Sequence, residues 1–122
     1  MARILVVDDE ELIQKALRRI LEAEDHDVAT AADGAEAWAL LEAGGVDLLM
    51  TDLFMPHVDG IELLTRLLEI DDAPPVIAMS GGGRIVKNTD ALTDAAVMGA
   101  DSILQKPFTP DEVRAAVSEA LG

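Results

Sequence analysis

The chain has 122 residues, enough for one domain with a real core, and its 50% hydrophobic content fits a folded globular class. It holds no cysteine, which excludes disulfides and fits a cytosolic compartment, and no apolar stretch approaches the roughly 20 residues that a membrane span needs. The formal net charge of −15 repels phosphate backbones and argues against direct binding of DNA or RNA; the one close basic cluster, Lys15, Arg18 and Arg19, reads as a solvated helix face.

Short β-branched apolar runs alternate with longer helical patterns along the whole chain. Arg3–Val7 reads as a first strand, followed by a helix whose Leu12, Ala16, Ile20 and Ile13, Leu17, Leu21 form an apolar stripe. His26–Ala31 reads as a second strand, and Asp33-x-x-Glu36 resembles a capping box that starts a second helix, with Gly44-Gly45 as its stop. Asp47–Thr51 is the third strand; Asp59-x-x-Glu62 opens a third helix with Ile61, Leu64 and Leu68 on one stripe. Pro75–Met79 is the fourth strand, Gly99 stops the fourth helix, and Asp101–Leu104 is the fifth strand. Thr109-x-x-Glu112 caps a fifth helix with Pro110 at its first position.

This βα repeat predicts an α/β fold: a flavodoxin-like, doubly wound, five-stranded parallel sheet in the order 2-1-3-4-5, with right-handed crossovers and five helices. The first, third and fourth strands are nearly continuous apolar runs, as expected of strands covered on both faces. One domain spans residues 1–122, and Met1 directly before the first strand favours a stand-alone protein.

In such a sheet, ligands bind beyond the carboxyl ends of the strands at the switch point. Asp8 and Asp9 end the first strand and Asp52 the third, so three acids share one rim. Two unit charges about 4 Å apart repel by about 4 kcal/mol at an effective dielectric near 20, so the acids call for a cation or a proton. Mg²⁺ suits hard carboxylate and carbonyl oxygens and keeps waters that a phosphate can displace. The bland alternative for Asp8-Asp9-Glu10-Glu11 is a helix cap with an acidic first turn. Ser80 closes the fourth strand and Lys106 the fifth, where a hydroxyl and an ammonium can hold phosphoryl oxygens. Pro107 keeps Lys106 out of the helical region and allows a cis bond, so it can aim the lysine inward.

These residues, in the segments Ile4–Glu10, Leu48–Leu64, Val76–Ser80 and Ala100–Phe108, resemble the response-regulator receiver domain, the phosphoacceptor module of two-component signalling. The resemblance covers essentially the whole chain. It implies that Asp52 is the phosphoacceptor and that Mg²⁺ is held by Asp8, Asp9, Asp52 and the backbone carbonyl of Phe54, with Asp9 favoured as a direct ligand. It further implies that Ser80 and Lys106 contact the phosphoryl group, and that the donor is a histidine kinase or a histidine phosphotransfer protein. The chain is then no enzyme beyond its own phosphorylation and dephosphorylation, it is cytoplasmic, and it signals by altering the binding of a protein partner.

Three departures from the family pattern stand out. Ile103 occupies the place of a rotating aromatic residue on the fifth strand. Ser80 and Lys106 are 26 positions apart, a few more than usual, and the surplus falls in the glycine-rich loop Gly81–Asn88. Phe54 puts an apolar side chain near the hydrolytic water, which points to slow loss of phosphate. The switch is therefore expected to work by ordering of Gly81–Asn88 and displacement of the fourth helix, with the donor protein docking on Ile13, Gln14, Leu17 and the Pro107-Phe108 turn. Two alternatives are a pseudo-receiver that binds partners without phosphorylation and a small haloacid-dehalogenase-type phosphatase; the latter normally has D-x-D where this chain has Asp8-Asp9-Glu10.

Overall fold

The computed structural model describes residues 2–52, 66, 67, 69, 73–80 and 101–122, with Ser80 described by its backbone alone. The expectations for Phe54, for the Asp59-x-x-Glu62 cap, for the loop Gly81–Asn88, for the fourth helix and for Gly99 lie outside these residues. Among the described residues the elements are β1 (Arg3–Val7), α1 (Glu11–Glu22), β2 (Asp27–Ala31), α2 (Gly34–Ala43), β3 (Leu48–Asp52), β4 (Val76–Ser80), β5 (Ser102–Gln105) and the C-terminal helix α3 (Pro110–Leu121). The five strands form one parallel sheet in the order β2-β1-β3-β4-β5, as the sequence predicts. Four of the strands begin one residue later than the sequence pattern suggests.

Strand alternation explains why both faces of this sheet are apolar. Ile4 and Val6 of β1, Leu48 and Met50 of β3, and Ile77 and Met79 of β4 face α1 and α3, where they meet Leu17, Leu21, Val113 and Val117. The intervening Leu5, Val7, Leu49, Val76 and Ala78 face the other way and pack with Ala37 of α2 and with Leu67. Burying each large side chain of this kind contributes about 1.5–3 kcal/mol relative to leaving it in water. That drive explains why the central strands admit so few polar residues.

The helices carry the expected punctuation. Thr109 and Glu112 form a full capping box at α3, Thr109 Oγ1 accepting from the Glu112 amide at 3.1 Å and Glu112 Oε1 from the Thr109 amide at 2.8 Å. Asp33 accepts from the Glu36 amide at 2.8 Å to start α2, which ends at Gly44 with φ +83°, a conformation that favours glycine. Only part of the apolar stripe predicted for α1 is core: Leu17 and Leu21 are buried and Ile13 and Ile20 partly so, whereas Leu12 and Ala16 are exposed. Lys15 and Arg18 make exposed pairs with Glu11 and Glu22 one turn away, in keeping with a solvated face.

Candidate functional site

Parallel pairing brings every strand's carboxyl end to the same rim. Val7 lies level with Thr51, Asp52 with Met79, and Ser80 with Gln105, so the residues that follow converge without any special turn. Asp8 prolongs the β1 ladder by donating its amide to the Ala31 carbonyl at 3.1 Å. Lys106 follows β5 directly, and its bond to Pro107 is cis.

The centre of the site is an ammonium between two carboxylates. Lys106 Nζ donates to Asp8 Oδ2 at 2.6 Å and to Asp52 Oδ2 at 3.3 Å, joining residues 98 and 54 positions apart. All three are withdrawn from solvent, their side chains being 10%, 0% and 7% exposed for Lys106, Asp8 and Asp52. The cation that the sequence argument demands for these acids is thus supplied in part by the protein. Burial pushes the Asp8 carboxyl above the ordinary range, although the hydrogen bonds from Lys106 and the Glu10 amide pull the other way. Burial also works against the Lys106 charge, but the hydrogen bond to Asp8 and the charges of Asp52 and Asp8 outweigh it, and the lysine sits above its ordinary value. It therefore stays cationic at neutral pH.

Around Asp8 lies a second acidic group. Asp8, Asp9 and Glu10 each bring a carboxylate oxygen within 4.8 Å of the others, Asp8 buried and the other two exposed. These are hard oxygen donors of the kind Mg²⁺ takes, so the residues present suit the ion by their chemistry. The reading of this run as a helix cap holds only in part: Glu10 is the N-cap of α1 and Glu11 gives an acidic first turn, but the Glu10 side chain makes no capping bond. Asp8 Oδ1 instead accepts from the Glu10 amide at 2.9 Å.

Two neighbours were not assigned to this site from sequence. Glu10 joins the carboxylate cluster, and its only signal was membership of the acidic run. Gln14 was expected to meet a partner protein, yet its Nε2 donates inward to the Asp8 carbonyl at 2.6 Å and towards the Ala31 carbonyl at 3.4 Å. Leu17, also expected at that surface, is fully buried and cannot serve there, while Leu12 on another side of α1 is 79% exposed. Phe108 is partly buried against the core. The Ser80 backbone ends β4 on the same rim, and Phe54 lies outside the described residues.

Comparison with known proteins agrees with this fold. The chain matches the response regulator receiver domain family over residues 4–118. It is 37% identical over 119 residues to the alkaline phosphatase synthesis transcriptional regulatory protein PhoP of Bacillus subtilis, covering 98% of this chain and 48% of that one. It is 35% identical over 111 residues to the transcriptional regulatory protein TrcR of Mycobacterium tuberculosis, covering 91% of this chain and 42% of that one. The chain thus spans a little under half the length of these curated relatives. Among solved structures, the receiver domain of NtrX from Brucella abortus superposes with a TM-score of 0.87 at 32% identity, covering 97% of each chain. The receiver domain of the Francisella response regulator 1452 does so at 0.88 and 30% identity, covering 99% of this chain and 97% of that one. With sheet order, acidic rim and sequence match in agreement, the chain belongs to the response regulator receiver domain family.

Proposed function

We propose that this chain accepts a phosphoryl group on Asp52 from the phosphohistidine of a histidine kinase or histidine phosphotransfer protein, and passes the signal on by a conformational change that alters the binding of a protein partner. The observation that carries this reading is the buried Asp52 carboxylate at the end of β3, held beside Asp8 by Lys106. One Asp52 oxygen attacks phosphorus in line, a P–O bond forms, and the P–N bond to the imidazole breaks with its electron pair returning to nitrogen. Lys106 and the Ser80 hydroxyl hold phosphoryl oxygens, the lysine exchanging part of its present carboxylate contact for them. Asp8, Asp9, Asp52 and the Phe54 carbonyl would hold Mg²⁺, which when bound supplies positive charge against the carboxylates and the transferring group. The unit is residues 1–122 acting as one receiver domain in the cytoplasm. Among the described residues no helix is long and apolar enough to cross a membrane.

Incubation with acetyl phosphate and Mg²⁺ followed by intact-mass measurement tests the reading. A lasting single phosphoryl adduct on the wild type, absent from Asp52→Asn, is expected. Equal incorporation by both would remove Asp52 from its role. Turnover without an adduct would favour a phosphatase, and no reaction at all a pseudo-receiver.

A further inference from the structure

Every polar atom of Asp8 is held in place. Its amide donates to the Ala31 carbonyl at 3.1 Å, Oδ1 accepts from the Glu10 amide at 2.9 Å, Oδ2 accepts from Lys106 at 2.6 Å, and its carbonyl accepts from Gln14 Nε2 at 2.6 Å. The last of these bonds is the unexpected one. Gln14 is an ordinary residue of α1, its own amide donating to the Glu10 carbonyl at 3.2 Å, yet its side chain reaches back six positions to the end of β1. The same Nε2 lies 3.4 Å from the Ala31 carbonyl that already receives the Asp8 amide, so one neutral side chain ties together the ends of β1 and β2 and the start of α1.

We propose that Gln14 is a positioning residue for the magnesium site: by holding the Asp8 carbonyl it fixes the plane of the Asp8–Asp9 peptide, and with it the direction from which both acids present their oxygens. The inference rests on reading Asp8 and Asp9 as magnesium ligands. Its physical basis is mutual repulsion. Adjacent carboxylates swing apart unless their backbone is restrained, and a metal that must draw them together then works against that freedom. An amide suits the task because it donates a hydrogen bond without adding a charge that would compete with the ion. Partners that orient metal ligands from behind in this way typically carry 10–100-fold in affinity.

Gln14→Met keeps the length and helical preference of the side chain and removes the donor. Magnesium affinity measured by calorimetry on the full chain is expected to weaken on the order of tenfold. Phosphorylation by acetyl phosphate is expected to slow at limiting Mg²⁺ and to recover the wild-type rate when Mg²⁺ is saturating, a split that a general folding defect does not produce. An unchanged affinity, or a rate that stays low at saturating Mg²⁺, would overturn the proposal. The wild-type protein offers a test free of any variant, because its two glutamines are Gln14 and the exposed Gln105. By nuclear magnetic resonance the Gln14 side-chain amide protons are expected to exchange with solvent more slowly than those of Gln105, and equal exchange would refute the hydrogen bond. Wild type that binds no Mg²⁺, or Asp9→Ala that binds it as tightly as wild type, would instead bring down the metal-site reading itself.

Discussion

Replacing Lys106 by methionine removes one charge and keeps most of the apolar stem, so it isolates what the ammonium does. In the structure Nζ lies 2.6 Å from Asp8 and 3.3 Å from Asp52, with no more than 10% of any of the three side chains exposed. At an effective dielectric of about 20 these separations correspond to about 6 and about 5 kcal/mol of gross attraction. Desolvation of the lysine offsets much of that, and breaking a buried pair by removing one partner costs about 3–5 kcal/mol in all. At roughly 3–4 °C per kcal/mol for a chain of this size, the metal-free thermal midpoint is expected to fall by roughly 10–20 °C. The magnesium effect then has a definite sign. Without Lys106, Asp8 and Asp52 lose the ammonium that both of them bind, so the variant gains more from a divalent cation than the wild type does. By linkage, each tenfold gain in affinity narrows the stability gap by about 1.4 kcal/mol at saturating metal. Thermal denaturation of both proteins at neutral pH, in chelator and in saturating Mg²⁺, measures the gap directly. It is expected to be wide in chelator and narrower with metal, while phosphorylation of Lys106→Met stays slow if, as proposed, the lysine also holds a phosphoryl oxygen. A gap of equal size in both conditions would mean that methionine only disturbs packing, and would refute the electrostatic account.

Further outcomes follow from the same geometry. Asp9 is exposed, so Asp9→Ala is expected to shift metal-free stability by no more than about 0.5 kcal/mol while abolishing the magnesium-dependent rise in thermal midpoint; a rise that survives would move the ion elsewhere. Leu12, exposed at the rim end of α1, is expected to meet the donor protein, so Leu12→Asp slows transfer from a histidine kinase and leaves phosphorylation by acetyl phosphate unchanged; equal slowing of both would argue against a docking role. Leu17→Ala, by contrast, is expected to cost about 2–5 kcal/mol in a denaturant titration, because this side chain is fully buried; a loss below about 1 kcal/mol would contradict its place in the core. Beryllofluoride is expected to increase hydrogen-exchange protection across residues 81–88, with Ser80→Ala weakening the effect; changes centred instead on β5 around Ile103 would point to a strand-based switch.

Much of this protein is legible in its sequence because two patterns carry it. The near-continuous apolar runs of β1, β3 and β4 and the 3.6-residue stripe of α1 identify the layers, and the order β2-β1-β3-β4-β5 is a doubly wound order that such βα units adopt. Asp8, Asp52 and Lys106 could be brought to one rim on paper because parallel strands end together, whatever the details of packing. What only the tertiary structure decided depends on depth and rotation. The α1 pattern offers two rows of apolar residues, and the angle at which the helix lies on the sheet is what buries Leu17 and leaves Leu12 in water. The cation for Asp8 and Asp52 was expected from outside, but folding also sets the Lys106 ammonium 2.6 Å from the one and 3.3 Å from the other. The inward turn of Gln14 had no sequence signal at all, since a glutamine on a helix reads as a surface residue until the carbonyls of Asp8 and Ala31 are found within reach of its amide. Pattern is a property of neighbours along the chain, whereas charge balance and hydrogen-bond reach are properties of neighbours in space, and only folding makes the second kind.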